Sequence, residues 1–260
     1  MTHFLPKNRF DCETGVSFLF RLATTMFFLL CVEVTQLAGQ ESVSTTNSPH
    51  LKLAIIGDST VANYPAANPL RGWGQYFGEY FSTNTMIINL AKNGRSTKTF
   101  YTDPGHFWQQ ALEAKPDFIF IQFGHNDSHA SDKPEATKAD GDFMENLRRY
   151  VTEARADGAT PIFVTPMHRR NFKNGALTLE LQPYADAMKK VGQEMKVPVI
   201  DLYTLSGEVF LKLGDDGSAD LMGPNERTHF SEKGARLLAG LVAQAASKCD
   251  ERLKAVFIGK

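Results

Sequence analysis

Cysteine is scarce: three occur in 260 residues, and two of them, Cys12 and Cys31, fall in an N-terminal stretch that reads as a leader. That leaves Cys249, read as a half-buried helix residue. One thiol forms no internal disulfide, so the folded part rests on the sizeable core that a domain of this length can build. Net charge is equally scant. The 28 basic and 29 acidic side chains leave a formal −1, and with no basic stripe to displace phosphate counterions, nucleic acid is excluded as a partner. Metal and dinucleotide signatures also fail. His125 and His129 are four apart, but Asn126 rather than glutamate follows the first, and no metal site is expected. Gly72, Gly74 and Gly78 miss the dinucleotide spacing and follow no strand. No cofactor of any kind is expected.

A membrane-length apolar run is missing too. The apolar stretch at 22–32 is flanked by Arg21 and Glu33 and is too short to span a bilayer comfortably. It fits a secretory signal, with Lys7, Arg9 and Arg21 ahead of it and the small residues Ala38-Gly39 behind. The chain therefore divides into a signal peptide at 1–39, a polar, turn-rich linker at 40–50 and one domain at 51–260. The mature protein is expected outside the cytoplasm, secreted or periplasmic, without stable membrane association.

Within the domain, apolar runs alternate with helical patterns. Strands are expected at 52–56, 85–90, 117–123, 161–165 and 198–202. The continuous run Phe118-Ile119-Phe120-Ile121 suits a parallel strand covered on both faces. Helices are expected at 73–81, 107–114, 143–156 and 183–195, and a last one begins at the N-cap Ser231. This alternation predicts a doubly wound, three-layer α/β/α domain.

The first strand ends in Gly57-Asp58-Ser59-Thr60, a turn that presents Ser59 at the carboxyl edge of the sheet, where open α/β folds keep their ligand sites. These are also ordinary turn residues. A serine hydroxyl needs a base to become a nucleophile, and His229, two residues ahead of the last helix, is the candidate. Acyl transfer further needs donors aimed at the oxygen that becomes negative. Gly94, in the loop after the second strand, offers a backbone N–H. Asn126, after the third strand, offers a side-chain amide.

In combination, Gly57-Asp58-Ser59, Gly94, Gly124-His125-Asn126-Asp127 and His229 resemble the SGNH, or Gly-Asp-Ser-Leu-like, hydrolase superfamily, in its order and over essentially all of 51–245. Gly72-Trp73-Gly74-Gln75, Asn93-Gly94-Arg95-Ser96, Thr165-Pro166 with Arg169-Arg170, and Thr228-His229-Phe230-Ser231 make the chain most similar to the rhamnogalacturonan acetylesterase group. The resemblance implies a five-stranded parallel sheet in flavodoxin-like order and a serine esterase acting on an acetylated, pectin-like polysaccharide or oligosaccharide. It implies Ser59 as nucleophile, His229 as base, and an oxyanion hole from the N–H groups of Ser59 and Gly94 and the amide of Asn126. The family places aspartate three residues before the histidine; here that residue is Glu226. It either orients His229 as a third member or stays solvated, leaving a dyad. A lipase or thioesterase of the same superfamily, and an inactive carbohydrate-binding relative, are the alternatives.

Other residues read as follows. Arg169 and Arg170 follow the fourth strand and either pair with carboxylates of an acidic sugar polymer or form a solvated loop pair. Tyr64, Tyr101 and Trp108 are candidates to stack on sugar rings, whereas Trp73 is expected in the core. Asn126-Asp127-Ser128 matches a glycosylation acceptor, which is taken as chance because a sugar there would block the site.

Overall fold

The computed structural model describes residues 50–259. The expected signal peptide, and the linker apart from His50, lie outside the described residues. Five strands, β1 (Lys52–Gly57), β2 (Met86–Asn89), β3 (Phe118–Gln122), β4 (Thr160–Val164) and β5 (Val199–Ile200), pair in the order β2-β1-β3-β4-β5, all parallel. This is the flavodoxin-like order, in which the direction of winding reverses between β1 and β3. Ser59 follows β1 and Asn126 follows β3, so both stand at the mouth of that crevice.

Successive side chains of a strand face opposite ways, and the two cores divide accordingly. Leu53, Ile55, Phe118, Phe120, Ile162 and Val164 enter one apolar cluster. Ala54, Ile56, Ile119, Ile121 and Phe163 enter the other. Every residue of β3 is buried, which is why the run Phe118–Gln122 shows no polar alternation. Burying such a large side chain contributes about 2 kcal/mol.

The helices α1 (Thr97–Tyr101), α2 (Phe107–Glu113), α3 (Asp142–Ala156), α4 (Gln182–Met195), α5 (Leu202–Gly217), α6 (Glu232–Ala246) and α7 (Glu251–Val256) complete the layers. Residues of α2, α3 and α4 fill one cluster; residues of α5, α6 and α7 fill the other. Trp73 is fully buried, as expected, and its indole N–H donates to Gln122 Oε1 at 2.7 Å. The helix expected at 73–81 is instead two short 3-10 turns, Trp73–Gln75 and Phe77–Tyr80. The strand expected at 198–202 is cut to two residues because Asp201 caps α5, its carboxylate accepting from the Thr204 N–H. Cys249 is half-buried but lies in the turn after α6 rather than within a helix.

The start of α6 fixes the loop that carries His229. The Ser231 side chain accepts from the Gly234 N–H, while the Ser231 N–H donates to the Leu221 carbonyl at 3.0 Å. A Cβ on Gly234 would overlap that same carbonyl oxygen. Alanine exceeds glycine in helix propensity by about 1 kcal/mol, yet Gly234→Ala is expected to lower the melting temperature, because backbone rather than a movable side chain blocks the methyl. An unchanged or raised melting temperature would show that this close approach is not a packing constraint.

Candidate active site

The turn after β1 is held from below. The N–H groups of Val61 and Ala62 both donate to the Asp58 carbonyl at 3.1 Å. The buried Asp58 carboxylate takes the Thr60 N–H at 2.9 Å and the Thr60 hydroxyl at 2.6 Å on one oxygen. Gln122, at the end of β3, donates to the Thr60 hydroxyl at 2.8 Å, which ties the turn to the neighbouring strand. Tyr64 donates its phenol proton to the Ser59 carbonyl at 2.9 Å. Burial and the nearby charge of Asp58 push that phenol up to about 12, so it remains a donor at any ordinary pH. Ser59 itself stays half-exposed.

His229 reaches this turn from 170 residues away. Ser59 Oγ and His229 Nε2 are 2.9 Å apart, and His229 Nδ1 lies 3.1 Å from Glu226 Oε2. A carboxylate can only accept, so Nδ1 carries the ring proton and Nε2 is left to accept from the Ser59 hydroxyl. Glu226 stands in a tight turn. The Glu226 N–H donates to the Gly223 carbonyl at 3.1 Å, the Gly223 N–H to the His229 carbonyl at 2.9 Å, and Asn225 sits at φ 57°. Asparagine tolerates that left-handed backbone better than most residues.

Two further loops carry the expected donors. Gly94 lies at φ 74° in a turn closed by Arg95 N–H to the Lys92 carbonyl at 3.3 Å, and positive φ suits glycine. The backbone N–H groups of Ser59 and Gly94 have no hydrogen-bond partner among the described residues. The Asn126 amide spends one proton on the Arg95 carbonyl at 2.9 Å, which fixes its orientation and leaves the second proton free. Asn126 is buried, in keeping with the reading of its acceptor motif as chance.

A second set of titratable groups lies beneath. The other Asp58 oxygen faces His125 Nδ1 at 3.5 Å, both residues being buried. Burial works to raise the Asp58 carboxyl, but His125 and the two Thr60 donors outweigh it and hold it below its ordinary value. Burial pushes the His125 imidazole down against the pull of Asp58. His129 pairs instead with Glu135 at 2.6 Å, so the two histidines serve different partners. Among the described residues no three His, Cys, Asp or Glu side chains are grouped to hold a metal ion. Asp127 is buried under Thr97 and Thr137, whose hydroxyls donate to it at 2.5 and 2.8 Å, yet burial dominates and lifts its carboxyl to about 7.

The residues expected to meet sugar each have partners within the protein. Arg170 is buried and pairs with Asp215 at 3.1 Å, and Arg227 shares that carboxylate. Arg169 donates to the His125 carbonyl at 2.9 Å and lies near Glu180. Tyr64 is buried behind the nucleophile turn. Trp108 and Tyr101 both hydrogen-bond Glu153 of α3, at 2.6 and 2.8 Å. These partners replace the free cations and exposed rings that the sequence suggests. The supporting bonds of Asp58, Thr60 and Gln122 are not legible in the sequence, because a sequence does not show which neighbours a turn residue will meet.

A parallel doubly wound sheet with a serine–histidine contact at its switch point defines a class of α/β hydrolases. Residues 55–237 match the GDSL-like lipase/acylhydrolase family, and the chain belongs to it; it is a carboxylic ester hydrolase. It is 38% identical over 220 residues to the rhamnogalacturonan acetylesterase RhgT of Bacillus subtilis, covering 78% of this chain and 93% of that protein. It is 36% identical over 201 residues to the probable rhamnogalacturonan acetylesterase YesY of the same organism, covering 75% and 91%. Among solved structures, the acetylxylan esterase Axe2 of Geobacillus stearothermophilus shares the fold with a TM-score of 0.59 at 20% identity, covering 75% of this chain and 93% of that one.

The raised carboxyl of Asp127 has a measurable consequence. Its folded value of about 7 lies above the unfolded 3.8, so between those values the native state binds the extra proton. Its contribution to stability is complete below about pH 4 and is lost as pH rises towards 7, at no more than about 1.4 kcal/mol per pH unit. Asp127→Asn is expected to flatten that part of the stability profile, read from urea unfolding at several pH values. A slope identical to wild type would rule Asp127 out as its source.

Proposed function

We propose that the chain is a serine acetylesterase that removes acetyl groups from a rhamnogalacturonan-like, pectic polysaccharide. The observation that carries the reading is the 2.9 Å approach of Ser59 Oγ to His229 Nε2, beside two unpaired backbone N–H groups and the fixed amide of Asn126. In the forward step Ser59 Oγ attacks the acetyl carbonyl carbon as His229 Nε2 takes the hydroxyl proton. The carbonyl oxygen becomes negative between the N–H groups of Ser59 and Gly94 and the amide of Asn126. His229 then returns the proton to the sugar alkoxide, which leaves the carbonyl carbon. Water repeats the sequence on the acetyl-serine and releases acetate. Glu226 stabilises the imidazolium formed in each half.

The acetyl and pectic parts of the reading are supported by the two rhamnogalacturonan acetylesterase relatives, at 38% and 36% identity over most of both chains. Export is part of the same proposal. A polymer substrate lies outside the cell, and the basic residues ahead of the apolar stretch 22–32 support a secretory signal.

Deacetylation of a rhamnogalacturonan preparation, followed as acetate release, tests the substrate. Ser59→Ala is expected to abolish turnover of both the polymer and p-nitrophenyl acetate. Asn126→Ala should lower kcat by about 100- to 1,000-fold, the loss seen when one oxyanion donor is removed. Glu226→Gln should cut turnover at least about 100-fold, while Glu226→Asp stays within about tenfold of wild type. Small and equal losses in both Glu226 variants would leave a serine–histidine dyad. Persistent turnover by Ser59→Ala would refute the mechanism outright.

A further inference from the structure

Beside the proposed site lies an open groove of about 400 Å³, lined by Asn63, Lys92, Asn93, Arg95 and Phe107 among others. It shares backbone with the site on both sides. Asn63 lies four residues beyond Ser59, and the Lys92 N–H donates to the Gly57 carbonyl at 3.0 Å. The Arg95 carbonyl accepts from Asn126 at 2.9 Å, while its guanidinium pairs with Asp103 on the groove wall. The volume falls within the range of roughly 300–1,000 Å³ usual for ligand sites.

The chemistry of the lining selects the ligand. Lys92 Nζ stands 4.5 Å from the centre of the Phe107 ring, which holds the ammonium by its π face and supplies no counter-charge. No carboxylate forms an ion pair with it among the described residues, in contrast to Arg95, Arg169 and Arg170, each of which has one. The charges of Lys92, Arg95 and Asp103 leave the groove with one excess positive charge. Asn63 uses its carbonyl oxygen on the Asn89 amide at 2.9 Å and keeps its own NH₂ free. The exposed Asn93 amide forms no hydrogen bond with the described residues. Asp103 also feels the Lys92 charge, but it is paired with Arg95, so a cation without an ion-pair partner and free amide donors are left to suit an acidic ligand rich in hydroxyl oxygens.

We propose that this groove is a uronate subsite. Lys92 pairs with the carboxylate of a sugar flanking the acetylated residue, and the amides of Asn63 and Asn93 donate to its hydroxyl oxygens. The inference rests on the acetylesterase reading above and adds where the acidic backbone of the polymer is recognised.

The test compares KM on acetylated rhamnogalacturonan oligosaccharides, which carry uronates, with KM on acetylated xylo-oligosaccharides, which are neutral. In Lys92→Gln the ratio of acidic to neutral KM should rise about tenfold, the loss of one modest charge-assisted contact, and Lys92→Arg should restore most of it. In wild type the acidic KM should climb with ionic strength, and that climb should be blunted in Lys92→Gln. A ratio equal to wild type in Lys92→Gln overturns the subsite while leaving the pectic reading in place. Wild-type turnover of the xylo-oligosaccharide with none of the rhamnogalacturonan oligosaccharide overturns both. A thermal melt of Lys92→Gln matching wild type shows that the ratio reports binding rather than unfolding.

Discussion

The hydrogen bond between Ser59 and His229 is the constraint on which the rest of the arrangement depends. It joins the end of the first strand to the loop before α6, across 170 residues, and neither side chain could find the other through local structure. Each is delivered by a rigid element instead. Ser59 rides on the turn that Asp58 and Thr60 lock beneath it. His229 is held between the turn 223–226 and the Ser231 cap. Precision of this kind requires that every supporting residue also be fixed, which explains why so much buried polarity gathers below a half-exposed hydroxyl.

That buried polarity forms a connected layer. Asp58 precedes Ser59 by one residue, and His125 precedes Asn126 by one residue. Their side chains face each other at 3.5 Å with almost no exposure. The contact therefore links the turn after β1 to the loop after β3, the two loops that flank the switch point. Buried charge is destabilising unless compensated, and Asp58 is compensated by the Thr60 N–H and hydroxyl as well as by His125. The facing Asp58 oxygen and both His125 ring nitrogens make no hydrogen bond among the described residues, so the contact between the two loops is electrostatic, while the Thr60 donors hold the other Asp58 oxygen.

Much of this was legible in the sequence, and the reasons are physical. The five strands could be read because parallel strands buried on both faces need continuous apolar residues, as at Phe118–Gln122. Ser59, Gly94, Asn126 and His229 could be singled out because each sits where a strand or helix pattern stops; the structure brings Ser59 to His229 and ties Asn126 to the loop that carries Gly94. α5 was hidden by its own beginning. Leu202 and Tyr203 continue the apolar character of β5, and only the capping bonds of Asp201 show that the chain has already turned into a helix. The short turns at Trp73–Tyr80 carry helical spacing in sequence, but Gly72 and Gly74 pack too closely against neighbouring backbone and side chains to admit a Cβ. The fates of Arg169, Arg170 and Trp108 depend on Asp215, Glu180 and Glu153, which are distant in sequence, and residue type alone cannot tell a free cation from a paired one.

The distribution of charge around Ser59 fits what an acetyl group offers an enzyme. It is small and neutral, with few atoms to bind, so most of the energy that positions it must come from remote parts of the substrate. Such binding is useful only if the remote contacts sit on the same rigid framework as the reacting atoms. The loop 92–95 meets that requirement. Its backbone carries the Gly94 N–H, fixes the Asn126 amide through the Arg95 carbonyl, and presents the Lys92 ammonium over Phe107. An acidic sugar held by Lys92 would thus be registered against the proposed oxyanion donors through only a few residues of chain. Arg169 and Arg170 differ from Lys92 in already having carboxylate partners, Glu180 and Asp215.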